Sequence, residues 1–284
     1  MGSSYTNTKR KSSKPSKSQI LLKRVLYTGA IVLACAAIYS TVKSILAPET
    51  SMGEIGLPHG SIQELVDPRT FMTAYLATNC KPPLLETTQT IRVAGRIDSG
   101  LANESFVLIK KQPNLMLFTI DRKTHQITFG VHGDKVWRRV RIPNRDDEFI
   151  NIEGDEVYTW KSQARFYDRI IQAHLGDGSI LNIEPSDWEN IDCLKVKLKD
   201  GDGDRVDIYI DPLTMHPLAE EQYRDNGAVQ QTKFSDYRDI DGMPIPFNMV
   251  TTVDGEVLNR IELESAALNT GIMSRLFEVP DSLL

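Results

Sequence analysis

Cysteine is scarce in this chain, and its three copies are poorly placed for the residue's usual uses. Cys35, Cys80 and Cys193 form no CxxC pair, which leaves a zinc ribbon or a thiol oxidoreductase without support. Cys80 and Cys193 are too far apart in sequence to define a framework. A single disulfide and two buried free thiols both remain open. The five histidines, at positions 59, 125, 132, 174 and 216, make no HxH, no HExxH and no His–carboxylate group at metal-ligand spacing. Serines are plentiful, yet there is no GxSxG elbow, no SxxK and no phosphate-cradling glycine loop. Neither a hydrolase, nor a resident metal, nor any cofactor is therefore expected.

Acidic residues are missing from one end only. Up to Arg24 there are seven basic residues and no acid, and the remainder carries 26 basic against 38 acidic residues, or −12. That balance disfavours nucleic acid as a partner. Long apolar runs are also lacking, with one exception. "VLYTGAIVLACAAIYSTV", from Val25 to Val42, has eighteen residues and no charge. As a helix it spans roughly 27 Å, enough to cross a bilayer. A buried globular helix would seldom be apolar or small on all sides for this length. The basic cluster before it places the N-terminus in the cytoplasm.

The expected order is a disordered basic arm (1–24), a transmembrane signal-anchor helix (25–46), a Pro- and Gly-bearing linker (47–62) and an outer domain (63–284). The expected location is the bacterial inner membrane, single-pass, with the domain in the periplasm. Two processing alternatives stay open. Signal peptidase could remove the apolar segment, although no clean small-x-small site follows it. "VLAC" loosely matches a lipobox, which makes Cys35 a candidate for lipidation.

The outer domain alternates with period two. In "TIRVAGRID", Ile91, Val93 and Ile97 face one way and Arg92 and Arg96 the other. "SFVLIKK", "LMLFTID", "QITFGV" and "KVWRRVRI" follow the same rule, with Val136, Val140 and Ile142 opposed to Trp137, Arg139 and Arg141. Such alternation means a sheet with one apolar and one wet face. Two helices are expected. One starts at "DPRTFMTAYLATNC", with Asp67 as cap and Pro68 in first position. The other is "TWKSQARFYDRIIQAHLGDG", with Thr159 as cap and Gly176 as stop. Beyond it, Asn226-Gly227, Asp241-Gly242 and Asp254-Gly255 mark hairpin turns between alternating segments.

The fold class is thus mainly β (α+β), an incomplete antiparallel barrel of about nine to eleven strands with two helices as a lid. "DGDGDRVDIYID" invites a calcium reading, since Asp200, Asp202, Asp204 and Asp211 fall at ligand positions of an EF-hand loop. Arg205 replaces the sharp-turn glycine, the last ligand is Asp rather than Glu, and both flanks read as strands. A hairpin turn is expected there.

The order of a capped helix, "TIRVAGRID", a middle helix, "YIDPLTMHPLAEEQY" and "FSDYRDIDGMPIPFNMVTTVDG" resembles the LolA-like family of periplasmic outer-membrane lipoprotein carriers, from about Ile62 to the C-terminus. The resemblance implies a half-barrel with a helical lid over a hydrophobic cavity, and a lipid, acyl chain or acylated protein as ligand. A retained anchor departs from a soluble carrier. It favours local lipid handling, or an interaction or sensor module with an envelope protein as partner. The candidates for the cavity wall are Ile91, Val93, Phe106, Leu108, Leu117, Phe129, Phe166, Ile170, Phe247 and Met249. On sequence alone they serve equally as a filled core.

Overall fold

The computed structural model describes residues 59–224 and 227–283. The basic arm, the expected anchor at 25–46 and Cys35 lie outside them. Among the described residues no helix is long and apolar enough to cross a membrane.

Three helices come first: α1 (Ile62–Leu65), α2 (Pro68–Asn79) and α3 (Pro82–Thr87). The Asp67 carboxylate accepts from Thr70 N at 2.9 Å and Pro68 opens the first turn of α2, as expected. Six strands follow: β1 (Thr90–Asp98), β2 (Asn103–Lys111), β3 (Leu115–Asp121), β4 (Gln126–His132), β5 (Lys135–Arg141) and β6 (Glu148–Asn151). The chain then forms α4 (Asp155–Ala164) and α5 (Arg169–His174). Seven more strands complete it: β7 (Gly178–Trp188), β8 (Ile191–Asp200), β9 (Arg205–Ile210), β10 (Pro217–Tyr223), β11 (Val229–Ile240), β12 (Met243–Val253) and β13 (Glu256–Leu268).

Thirteen strands are more than the nine to eleven expected. They form one antiparallel sheet in the order β6-β5-β4-β3-β2-β1-β13-β12-β11-β10-β9-β8-β7. The chain enters at the centre, meanders to one edge, crosses through α4 and α5 to the other edge, and meanders back to pair β13 with β1. The edge strands β6 and β7 do not pair, so the sheet is open. One large apolar core joins residues of both halves to the helices, and a small second cluster forms around Cys193, Tyr209 and Ala219. The sheet therefore wraps its apolar face around them, as an incomplete barrel does.

The single middle helix expected at Thr159 is two helices. Arg165 adopts an extended backbone (ψ 133°) after α4, and Asp168 starts α5 by accepting from Ile170 N and Ile171 N, each at 2.9 Å. A side chain that caps a new helix ends the old one. The Asp-Gly pairs turn as expected. Asp241 (φ 53°) with Gly242 (φ 88°) and Asp254 (φ 50°) with Gly255 (φ 85°) are both left-handed, as two-residue hairpins of matching twist require. "DGDG" also turns, between Lys199 and Arg205. Pro244 and Pro246 fall in the stretch of β12 that pairs with β11 but lies beyond the reach of β13, where a missing N–H breaks no ladder bond.

Candidate functional site

The inner wall is built by register. Val93 of β1 stands opposite Leu108 of β2, Leu108 opposite Phe118 of β3, and Phe118 opposite Phe129 of β4. Residues in register share a face of the sheet, so these four form one apolar rank across the strands. Phe106 lies one step along β2, packed on Phe118 with ring centroids 5.7 Å apart. Ile91, Phe166, Ile170, Phe247 and Met249 join the same contiguous core, all less than a tenth exposed.

Leu117 is the exception among the expected wall residues. It is half-buried between buried Met116 and Phe118, and strand alternation sets it on the opposite face, across from Gly130. Its apolar character serves that outer face, where the C-terminal turn Ser274–Phe277 packs against β3 and β4 with Phe277 fully buried. Trp137, expected on the wet face, is also covered. It is buried and lies flat over Gly130, where any Cβ would come within 2.1 Å of the indole.

The wall is not an open cavity. Trp160 of α4 is fully buried and stacks on Phe129 at 4.1 Å and near Phe118 at 6.1 Å. From the N-terminal helices, Phe71 and Tyr75 stack on each other at 5.6 Å, also fully buried. Sequence reasoning did not single out Trp160, although an aromatic on a middle helix was its available signal.

Where α4 and α5 meet the sheet the lining turns polar. Arg169 is buried and bound by Asp200 and, at 3.0 Å, by Glu220. Arg165 pairs with Asp177 at 2.9 Å and with Asp202 at 2.5 Å. The "DGDG" turn is thus an anchor for the helices. The Asp200 carboxylate holds both Arg169 and the N–H groups of Asp202 and Asp204. Burial pushes the carboxyl of Asp168 up to about 6, against the two helix N–H groups that lower it. Burial raises Glu220 too, opposed by Arg169. Between these groups lies a cavity of about 50 Å³, walled by Tyr75, Lys110, Phe166, Asp168, Arg169 and Phe234 among others. It has room for a few waters.

Among the described residues no group of three or more His, Cys, Asp or Glu side chains is placed to hold a metal. Cys80 and Cys193 are both buried and free, and burial raises each thiol to about 12. They therefore pack as small apolar groups.

No family model and no curated protein matches the sequence. Solved structures do. The fold is similar to that of a LolA superfamily protein. That protein, from Nitrosomonas europaea, aligns over 77% of this chain and 97% of its own at 13% identity, with a TM-score of 0.49. MucB aligns over 76% of this chain at 8% identity and a TM-score of 0.24. A chain of the MucA/MucB complex of Pseudomonas aeruginosa aligns over 75% of this chain at 8% identity and a TM-score of 0.22. This chain spans a little under two thirds of those two chains, 63% and 61%. At these identities the likeness is one of fold alone.

Proposed function

We propose that the domain is a binding module without catalysis, which takes an apolar chain against the concave face with α4 as its removable cover. The ligand would be the acyl chain of a lipid or of a lipidated protein. The observation that carries this reading is the seat of Trp160. One side chain from a short helix occupies the end of an apolar rank that runs across four strands. α4 is a light cover, with Gly154 at its start and no side chain capping it. Displacing it would uncover Phe118 and Phe129 without breaking a strand pair. The placement of the domain at the outer face of the bacterial inner membrane, tethered through 25–46, is part of the same proposal and rests on the sequence.

One observation favours a second reading. Trp160 covers the end of the apolar rank, and the cavity beside α5, of about 50 Å³, is far smaller than an acyl chain needs. A filled half-barrel would suit a module that contacts an envelope protein through its outer surface. Photoreactive acyl probes in vesicles separate the two. In the first reading they label peptides of β2 to β4 and α4. Labelling confined to other segments sinks it in favour of the second.

A further inference from the structure

The convex face of the sheet carries an apolar cluster of its own. Cys193 of β8, Tyr209 of β9 and Ala219 of β10 are buried there, with Trp188 and Leu218 packed against them. Their strand neighbours Leu194, Ile208 and Ile210 belong to the core, so alternation turns the cluster to the opposite side. Tyr209 stands between Lys195 and Ala219 in register, and Cys193 lies two residues from Lys195 along β8. Trp188 ends β7, the unpaired edge strand. It pairs with Ile191 across the turn and lies over Tyr209 with ring centroids 4.3 Å apart. Ile191 is 45% exposed, and Leu213, in the loop after β9, is 43% exposed. Single exposed apolar side chains are ordinary. A buried aromatic floor that continues into exposed aliphatic side chains is the make-up of a contact surface, where Trp and Tyr carry most of the hold.

The charges around this corner select its partner. Lys195 sits over the Tyr209 ring at 4.9 Å and pairs with Asp207 at 2.8 Å, and Lys233 pairs with Glu189. Both cations are thus already matched. Asp187, Asp192 and Asp211 form no ion pair among the described residues. They lie close enough that their charge adds to burial in raising the Cys193 thiol. The corner is apolar at its centre and negative at its rim. Such a rim repels a bilayer surface of anionic lipid. It equally repels the same corner of a second copy. A polypeptide segment that sets lysine or arginine beside an apolar side chain complements both the rim and the centre. The corner is also reachable from the side, because no strand pairs with the outer edge of β7.

We propose that the convex corner around Trp188 docks a basic segment of an envelope protein. An apolar side chain of that segment seats against Trp188, Ile191 and Leu213, and its cations face Asp187, Asp192 and Asp211. The proposal rests on the second reading above, contact with a protein through the outer surface, and gives that contact a place and a charge. It does not depend on what the concave face holds.

The test places a photoreactive benzophenone side chain in the full chain, in membranes of the cells it comes from, at one of four exposed positions. Ile191 and Leu213 lie at the corner. Leu101 and Val257, 86% and 50% exposed, lie beside the β1–β2 and β12–β13 turns. Mass spectrometry of each adduct identifies the captured protein and the peptide that is linked. Ile191 and Leu213 are expected to link the same protein, through a peptide of net positive charge, while Leu101 and Val257 do not. Asp192 is exposed and in no ion pair, so Asp192→Lys reverses a rim charge without disturbing the fold. Combined with the probe at Leu213, it should lower the adduct yield about fivefold and leave the urea midpoint unchanged. A linked peptide that is neutral or acidic, a lipid adduct, a second copy of this chain, or a yield unmoved by Asp192→Lys overturns the proposal. Protein adducts confined to Leu101 or Val257, or as strong there as at the corner, overturn the corner and leave outer-surface contact standing. Absence of a protein adduct from all four positions overturns both.

Discussion

Asp168 performs a structural task in a setting that opposes its charge. It caps α5, yet burial lifts its carboxyl from the ordinary 3.8 to about 6. Between those values the folded chain holds more protons than the unfolded one, so this residue makes stability fall as pH rises from about 4 to 6. His216 works in reverse. It stacks on Tyr237 at 4.0 Å and bonds Asn79 at 3.0 Å, and burial depresses it from 6.5 to about 4. Between those values the unfolded chain holds more protons, so stability rises with pH across nearly the same window. The two slopes oppose each other in the wild type. Asp168→Asn keeps a capping side chain and removes one slope. Relative to wild type, its stability should climb by on the order of 2 kcal/mol between pH 4 and 6, read from urea midpoints along a pH series. Parallel curves for the two proteins would refute the buried-carboxyl account. None of this was legible in the sequence. Arg169 and Asp200 are 31 residues apart and Arg169 and Glu220 are 51 apart, and no spacing rule links them.

Elements were legible where the chemistry is local. The Asp-Gly hairpins and the Asp67-Pro68 helix start follow from residues that touch within one turn. The middle helix misled because "QARFYDRII" keeps an apolar stripe through a break, and the break belongs to the docking of Arg165 and Arg169 on the "DGDG" turn. The junction of the two half-sheets shows the same limit. β1 shifts register against β13 between Ala94 and Gly95, and a Cβ at Gly95 would meet the Glu262 carbonyl oxygen at 2.2 Å and the Leu263 Cα at 2.8 Å. Both obstacles are backbone, so neither can rotate away. Gly95→Ala should cost about 2 to 3 kcal/mol, measured by urea unfolding. An unchanged midpoint would mean that the strands part there at no cost. The sequence shows Gly95 inside a strand pattern, which signals a bulge or a close approach without saying against what.

At the scale of the whole molecule, the question is whether helices and sheet open together. The sheet is continuous through β1 and β13, the two strands that tie the chain's beginning to its end, and Ile91 to Asp98 pair with Leu268 to Arg260. α4 lies in the crossover between the unpaired edges, without a side-chain cap; Trp160, Gln163 and Ala164 are its buried residues, Arg165 just past its end pairs with Asp177 and Asp202, and the Lys161–Asp134 pair at 2.6 Å lies on the surface. An exposed pair of that kind contributes little, so the hold is the buried indole together with the anchored C-terminal end. The apolar wall was readable from period-two alternation, whereas the filling was not, because a core and a covered binding face have the same pattern. Local opening distinguishes them. Amides of Val157 to Ala164 should exchange with hydrogen-exchange protection far below that of β1, β12 and β13. Trp160→Ala should lower protection in α4 selectively. Its urea midpoint should fall by less than the roughly 3–5 kcal/mol that truncating a tryptophan costs in a fully cooperative core. If α4 is as protected as β13 and Trp160→Ala carries the full penalty, helix and sheet form one inseparable core. The concave face is then no ligand site, and the outer surface is left as the place for a partner.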